Sequence, residues 1–408
     1  MADRLTHVNT NPDGNSDVVA SRESDPNRSI QVRVVESRRD LNRFVRVPWR
    51  VYKDDPIWTP PLLFDVKEFL NPKKHPFYKH GEAVQFIALD GGEPVGRLLV
   101  SDDPRFNEQN DTNQGCFGMF ESLNDEAIAH ALFDAGADWL RARGRDHVMG
   151  PIDYSTNYSC GLLVDGFETP SRYMMPYNPR YYEDLFKSWG MKKNRDLYSW
   201  WFEDRFDMID KWRRRADWIS KKGKVTIRSF SKNKKEFQNE VDRCHKVYDA
   251  SRKDWWWACV TLTREEIEYF AKQLAMFGIE EQVLFAETEE GEAVGFAITM
   301  PDVNEAIKPL NGRLTWYGIP WNLFRLLRRI KRVKTARMMV LCVDEKYRRR
   351  GVAELLIMRT LDYGKNTIGY TGAELGWTDE ENDKINKIVE RVGAERYKMF
   401  RVFERDLS

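Results

Sequence analysis

The sequence has little cysteine and nowhere pairs it. Cys116, Cys160, Cys244, Cys259 and Cys342 are scattered, odd in number and form no C-x-x-C. A disulfide framework and a zinc site are both disfavoured, and a reducing, cytoplasmic compartment fits this usage. The histidines (His7, His75, His80, His130, His147, His245) show no ligand spacing, so no metal is expected. No Ser/His/Asp or Cys/His set for nucleophilic catalysis is evident. There is no Gly-Lys-Ser/Thr ending of a P-loop and no G-x-G-x-x-G of a dinucleotide fold. No window of about eighteen apolar residues exists, so nothing is expected to span a membrane. Neither sign of charge is in excess. Lys+Arg 65 against Asp+Glu 64 leaves +1 at pH 7, which removes any global pull towards nucleic acid. Residues 1–29 are polar, with neither a basic n-region nor an apolar h-region, and are expected to be a disordered tail rather than a signal peptide.

What is present is ample core material. Hydrophobic content of 41%, with 13% aromatic, over 408 residues suits two domains or two lobes sharing a core. Gln31–Val35 alternates like a strand, and Asp40 is placed as the cap of a helix to about Tyr52. Two apolar runs around Asp90-Gly91-Gly92, spanning Ala83–Val100, predict a hairpin. A strand over Cys116–Phe120 follows, then a helix capped by Asp125 and running to about Arg143. The second half repeats this order: strand Val225–Phe230, helices Lys235–Asp249 and Thr263–Phe277, and a glycine-turn hairpin over Val283–Ile298. Strand Met338–Val343, helix Ala353–Gly364, strand Ala373–Trp377, helix Glu380–Arg391 and strand Arg396–Phe403 complete it. The expected class is α/β with a mixed sheet. Its expected parts are an N-terminal lobe over 30–203, a linker helix over 204–224 and a C-terminal lobe over 225–408.

The run Val340-Leu-Cys-Val-Asp-Glu-Lys-Tyr-Arg-Arg-Arg-Gly-Val-Ala353 reads as strand, basic turn and helix start, with Arg348, Gly351 and Ala353 spaced R-x-x-G-x-A. A helix beginning on a small-residue turn offers unpaired N–H groups and the positive end of its dipole, a site for a pyrophosphate. Arg348, Arg349 and Arg350 add charge, while Gly351, Val352 and Ala353 supply the backbone. This loop resembles motif A of the GNAT acyltransferases, and the order of elements after Val225 resembles a GNAT domain. The first half has Phe120–Asp125 where the loop would be, so only the C-terminal lobe is expected to bind coenzyme A. Pro48-Trp49, Pro56-x-Trp58, Gly150-Pro151, Ser155-x-Asn157, Gly161–Gly166, Met175–Pro179 and Glu374-Leu-Gly-Trp-Thr-x-Glu-x-Asn382 are similar to a bacterial family with paired GNAT-like lobes. That family includes proteins assigned as bacterial ceramide synthases.

The resemblance implies two GNAT-like lobes in tandem and an acyl-CoA-dependent N-acyltransferase acting on a primary, lipid-like amine. It also implies that the backbone of Leu341 and Val343, with Asn382, holds the pantetheine arm. Two departures stand out. The usual general-acid Tyr of the last helix is replaced by Val389, and the strand before the loop, Arg337–Val343, carries no acid. Within the chemistry an acyl transfer to an amine requires, Glu374 is the candidate base, being an acid on a strand expected to be apolar. Tyr397 is the candidate acid for the departing thiolate. Trp255, Trp256 and Trp257 are candidates for an acceptor groove. Leu323, Leu326, Leu327, Ile330 and Val333 fall at helical spacing with Arg325, Arg328, Arg329 and Arg332 opposite, and Trp316 and Tyr317 precede them. Such a helix suits the interface of an anionic membrane, at its cytoplasmic face. Two other readings stay open: an acyl-CoA-binding protein without catalysis, and an aminoacyl transferase of the FemABX kind.

Overall fold

A computed structural model of the chain describes residues 29–204, 207–231, 233, 235–251, 257–275, 282–315 and 319–408. The expectation of a disordered tail therefore falls, Ser29 apart, outside the described residues, as do Trp255, Trp256, Trp316 and Tyr317. In chain order the first half runs β1 (Ile30–Val34), α1 (Arg38–Phe44), α2 (Val47–Val51), α3 (Leu63–Phe69), β2 (Glu82–Asp90), β3 (Glu93–Asp102), α4 (Pro104–Asn110), β4 (Gln114–Ser122), α5 (Glu126–Arg141), β5 (His147–Gly150), β6 (Leu162–Asp165), α6 (Tyr182–Ser188) and β7 (Lys192–Phe202). After α7 (Met208–Gly223) the second half runs β8 (Val225–Ser229), α8 (Phe237–Ser251), α9 (Arg264–Ala275), β9 (Val283–Thr288), β10 (Ala293–Pro301), α10 (Val303–Ile307), α11 (Trp321–Ile330), β11 (Thr335–Val343), α12 (Val352–Tyr363), β12 (Gly372–Asp379), α13 (Asp383–Arg391) and β13 (Glu395–Asp406).

The strands form one mixed sheet of 13, ordered β1-β2-β3-β4-β5-β13-β7-β12-β11-β10-β9-β8, with β6 also on β13. The order reads as two similar series run towards each other and meeting at β13–β7. The last strands are exchanged. β7, from the first half, lies antiparallel on β12, while β13 lies antiparallel on β5 and β6. Between them β13 and β7 pair from Glu395↔Trp201 to Glu404↔Lys192.

Local chemistry explains most boundaries. Ser37, not Asp40, caps the first helix: its Oγ accepts the Asp40 N–H at 3.0 Å, and the helix breaks at Val45 before α2 begins. The Asp40 carboxylate instead receives the Ser37 hydroxyl at 2.5 Å, a side-chain bond across the first turn. Asp125 does cap α5, accepting from Ala127 N at 2.9 Å. The β2–β3 hairpin turns on Gly91 and Gly92, whose φ values of +55° and +84° favour glycine.

Helices cover both faces of the second half. α7 and α12 pack Ile209, Ala216, Ile219, Leu355, Leu356 and Leu361 on one face, while α8 and α9 pack Val241, Cys244, Val247, Tyr248 and Ile267 on the other. Each such buried aliphatic or aromatic side chain contributes about 1.5–3 kcal/mol. In the first half α5 and α6 close a core of Leu132, Phe133, Leu140, Leu185 and Phe186. A further cluster gathers around α10 and α11, which interrupt the otherwise adjacent strands β10 and β11.

Candidate functional site

β11 is irregular where the site forms. Its register with β10 steps from Val340↔Ile298 to Met338↔Thr299, leaving Met339 as an extra residue. Such a bulge resets the alternation of side chains. Arg337, Met339 and Val340 consequently line the same side. On its other edge β11 pairs in parallel with β12 only from Thr335↔Gly372 to Met338↔Leu375. Beyond that rung the described pairings leave the β12-facing edge of Met339–Val343 open. An extended chain can add to such an edge through backbone hydrogen bonds. Leu341 and Val343, expected to hold a pantetheine arm, lie in this segment.

Beside the bulge is a chamber of about 460 Å³. Its wall is mostly apolar: Phe230, Phe237 and Cys244 from around α8, Ile267 and Phe270 from α9, and Phe296, Ile298 and Met300 from β10. The first half supplies Thr156, Asn157, Tyr158, Tyr173 and Met174, so the chamber lies between the lobes. The Ser155-x-Asn157 motif is what joins them here. Asn157 accepts from the Tyr248 hydroxyl at 2.5 Å and donates to the Val260 carbonyl at 2.9 Å.

Glu374 is 0% exposed and lies one side chain behind this wall. Its Oε1 is 3.2 Å from Arg337 Nε, yet neither atom has an aligned hydrogen-bond partner, so the contact is electrostatic. The Tyr397 hydroxyl donates to Oε2. Arg337 instead spends its other nitrogens on the carbonyls of Tyr173 at 2.8 Å and Gly376 at 3.3 Å. Burial pushes the Glu374 carboxyl up, against the pull of Arg337, Tyr397 and Arg172. Burial likewise lowers the Arg337 guanidinium, against Glu374. The Tyr397 hydroxyl is pushed well up by burial and by Glu374. Arg172 completes the group, bonded to Asp302 at 3.1 Å and stacked 4.4 Å over Trp201. Next to Tyr397, Lys398 is buried, pushed down to about 8, and donates to the carbonyls of Gly166 at 2.6 Å and Thr169 at 2.8 Å.

The basic turn leads into α12 as the spacing implied, but its arginines divide their work. Gly351 takes φ +80° and precedes the first helical residue, Val352; a Cβ there would meet Ile219 of α7 at 3.2 Å. Its freedom is thus needed for the turn and for packing. Arg348 folds inward, donating to the Val343 carbonyl at 3.3 Å and to the Ser251 carbonyl. Arg349 and Arg350 are exposed, Arg350 lying over the Tyr347 ring at 4.6 Å. The N–H groups of Val352 and Ala353 belong to the first turn of α12, whose leading amides have no partner within the helix.

Other candidates are placed elsewhere. Asn382 caps α13, its Oδ1 accepting from Ile385 N at 3.3 Å. Trp257 packs beside Arg195, 5.6 Å from its ring, and against the cluster holding Met149 and Phe400 rather than on the chamber wall. Val389 is a core residue at 3% exposure, so the position usual for a GNAT tyrosine is filled by packing. Of the apolar stripe expected on α11, Leu326, Ile330 and the following Val333 turn inward, while Leu323 and Leu327 face outward. Arg337, Tyr173 and Asn157 were not singled out by sequence reasoning as site residues. The available signal was Arg337 itself, a lone charge in an otherwise apolar strand.

A model of the acetyltransferase (GNAT) family matches residues 250–394. The chain is 32% identical over 385 residues to a bacterial ceramide synthase of Caulobacter vibrioides (strain NA1000 / CB15N), covering 93% of this chain and 98% of that protein. It is 30% identical over 384 residues to protein YghO of Escherichia coli (strain K12), covering 92% and 95% respectively. Among solved structures, a tandem GNAT protein from the clavulanic acid biosynthesis pathway superposes with a TM-score of 0.56 at 12% identity, over 93% of this chain and 99% of that one. At that identity the likeness concerns the fold, which is a tandem GNAT fold.

Proposed function

Since the chain belongs to the GNAT family of N-acyltransferases, in the two-lobe group with the ceramide synthase and YghO relatives, we propose that it transfers a long acyl chain from acyl-CoA to a long-chain primary amine. The carrying observation is the apolar chamber of about 460 Å³ beside the open edge of β11. Small-molecule sites span about 300–1,000 Å³, and each methylene buried in such a wall contributes about 0.8 kcal/mol. A donor limited to acetyl would leave most of that wall unused.

In this reading the pantetheine extends along Met339–Val343, pairing with Leu341 and Val343. The pyrophosphate sits at the positive end of α12, on the first-turn amides of Val352 and Ala353. Arg349 and Arg350 face the phosphates, while Arg348 braces the turn. Asn382 keeps its cap and offers its amide nitrogen to the arm.

The amine nitrogen attacks the thioester carbonyl; a C–N bond forms, the C–S bond breaks, and one proton must pass from nitrogen to sulfur. Glu374 accepts it, past Arg337, on an Oε1 that has no aligned donor. Tyr397, hydrogen-bonded to the same carboxyl, returns a proton to the thiolate. Acyl-CoA donors of graded length, incubated with a long-chain amine, test this directly by amide product and released thiol. Turnover confined to acetyl-CoA, or none with any long-chain amine, would overturn the reading.

A further inference from the structure

The insertion between β10 and β11 carries the chain's largest cluster of unpartnered apolar surface among the described residues. Ile319 is 62% exposed, Trp321 60%, Phe324 60% and Leu327 49%, and Leu323 beside them is also exposed. Folded proteins seldom leave five large apolar side chains together in water. Along the same helix and just beyond it stand Arg325, Arg328, Arg329, Lys331, Arg332 and Lys334, with no acidic residue between. The opposite face is anchored. Leu326 and Val333 pack with Leu62, Val303, Ile307 and Met300, and Met339 adjoins them. Met300 and Met339 are also wall residues of the chamber, so helix and chamber share a partition. The insertion is further tied to the first lobe: Trp49 Nε1 donates to Asn311 Oδ1 at 2.6 Å, and Leu63 N to the Gly312 carbonyl at 3.0 Å.

We propose that Ile319 and α11 form a docking surface for an anionic lipid bilayer, seating the chamber beside the membrane that carries its amine. This rests on the long-chain reading above for the identity of the substrate, though not for the docking itself. Aromatic and aliphatic residues flanked by arginines match the acyl–headgroup boundary, where apolar groups sink and guanidinium groups meet phosphate. A second copy of the chain is a poor occupant, because a self-complementary contact would bring two sets of these cations together.

Flotation with phosphatidylcholine vesicles, with and without phosphatidylglycerol, reads the docking. Recovery is expected with the anionic vesicles and to fall with added salt. Each basic residue near an anionic surface is worth roughly a fivefold change in binding, so changing Arg325, Arg328, Arg329 and Arg332 together to Gln should weaken it several hundredfold. Trp321→Ser with Phe324→Ser, in a chain whose melting is unchanged, should weaken recovery on both vesicle types. Turnover of an amine presented in vesicles should fall in these variants while turnover of a detergent-dispersed amine is retained. Recovery that is equal on neutral and anionic vesicles, or absent on both, overturns the proposal. So does a dimer abolished by the Trp321→Ser and Phe324→Ser changes, or binding of these arginines to nucleic acid in preference to vesicles. Absence of turnover with every amine, alongside normal flotation, would instead remove the long-chain reading and leave the docking in place.

Discussion

Arg337 and Glu374 occupy the same rung of two parallel strands, and their side chains meet at 3.2 Å with almost no access to water. Desolvating two charges costs several kcal/mol per ion, so the pair is not there for stability alone. Removing one partner should be worse than removing both. Arg337→Met leaves a buried carboxylate and should cost about 3–5 kcal/mol, whereas Arg337→Met with Glu374→Leu should recover much of that. Chemical denaturation of the three chains checks the order.

Glu374→Gln should lower kcat by roughly 10²- to 10⁴-fold, the usual worth of a general base, with donor affinity unchanged. Burial raises the carboxyl, so in the unaltered enzyme the acidic limb of kcat/KM should lie above the ordinary glutamate range. The sign follows: a group whose folded pKa is raised favours the native state at low pH and opposes it as pH rises through that value. The Gln variant should therefore lose this part of the pH dependence of its melting temperature.

At Gly351 strain and charge can be separated. Gly351→Ala must hold φ +80° and press on Ile219, costing about 1–2 kcal/mol of stability without adding charge. Gly351→Asp adds a carboxylate at the helix start where the pyrophosphate is proposed to lie. Calorimetry should find coenzyme A affinity at least about tenfold lower in the Asp variant than in the Ala variant, the effect of about 1.4 kcal/mol.

Ala271 lies on the chamber wall. Ala271→Trp should shift donor preference to shorter acyl chains, each methylene excluded losing about 0.8 kcal/mol, or roughly fourfold in KM. Competition between two acyl-CoA lengths in one reaction reads the shift without reference to absolute rates.

Two histidines at the lobe junction set a stability optimum. Burial tends to lower His80, but Asp103 at 3.3 Å and Glu266 at 3.6 Å outweigh it and raise the ring to about 9. Its contribution is full below the unfolded value of 6.5 and is lost as pH rises towards about 9. His75 is lowered by burial to about 4, so its contribution is present above 6.5 and lost as pH falls towards about 4. The melting temperature should peak near neutrality, and His80→Gln should lower the peak while flattening its alkaline side.

Local pattern carried much of this molecule. The hairpins turned on Gly91-Gly92 and Gly291, and the helix after the basic turn followed from its arginine–glycine spacing, because each depends on residues close in sequence. The cap moved from Asp40 to Ser37 because both can serve, and Ser37 is the one whose backbone is extended and whose Oγ accepts from Asp40 N. The exchange of β7 and β13 had no local signature; which strand fills which slot is fixed by contacts about two hundred residues apart. Glu374 was legible as an anomaly in an apolar strand and Tyr397 as a candidate acid on the last one, and the structure brings them into one hydrogen bond. Arg337 was an equal anomaly, but its importance depends on the bulge at Met339 and on a wall supplied by Tyr173, neither of which a single strand reveals.

The traded strands also impose an order on synthesis. A nascent chain released from the ribosome at about 5–20 residues per second normally folds its first domain before the next is made. Here the slot between β5 and β7 waits for Glu395–Asp406, which is translated after every other strand of the sheet. Until then β5, β6 and β7 all lack the strand they pair with, leaving edges open to pairing with another chain. The molecule's most vulnerable moment is therefore its birth, and chaperone demand, more than equilibrium stability, should set how much of it a cell can make.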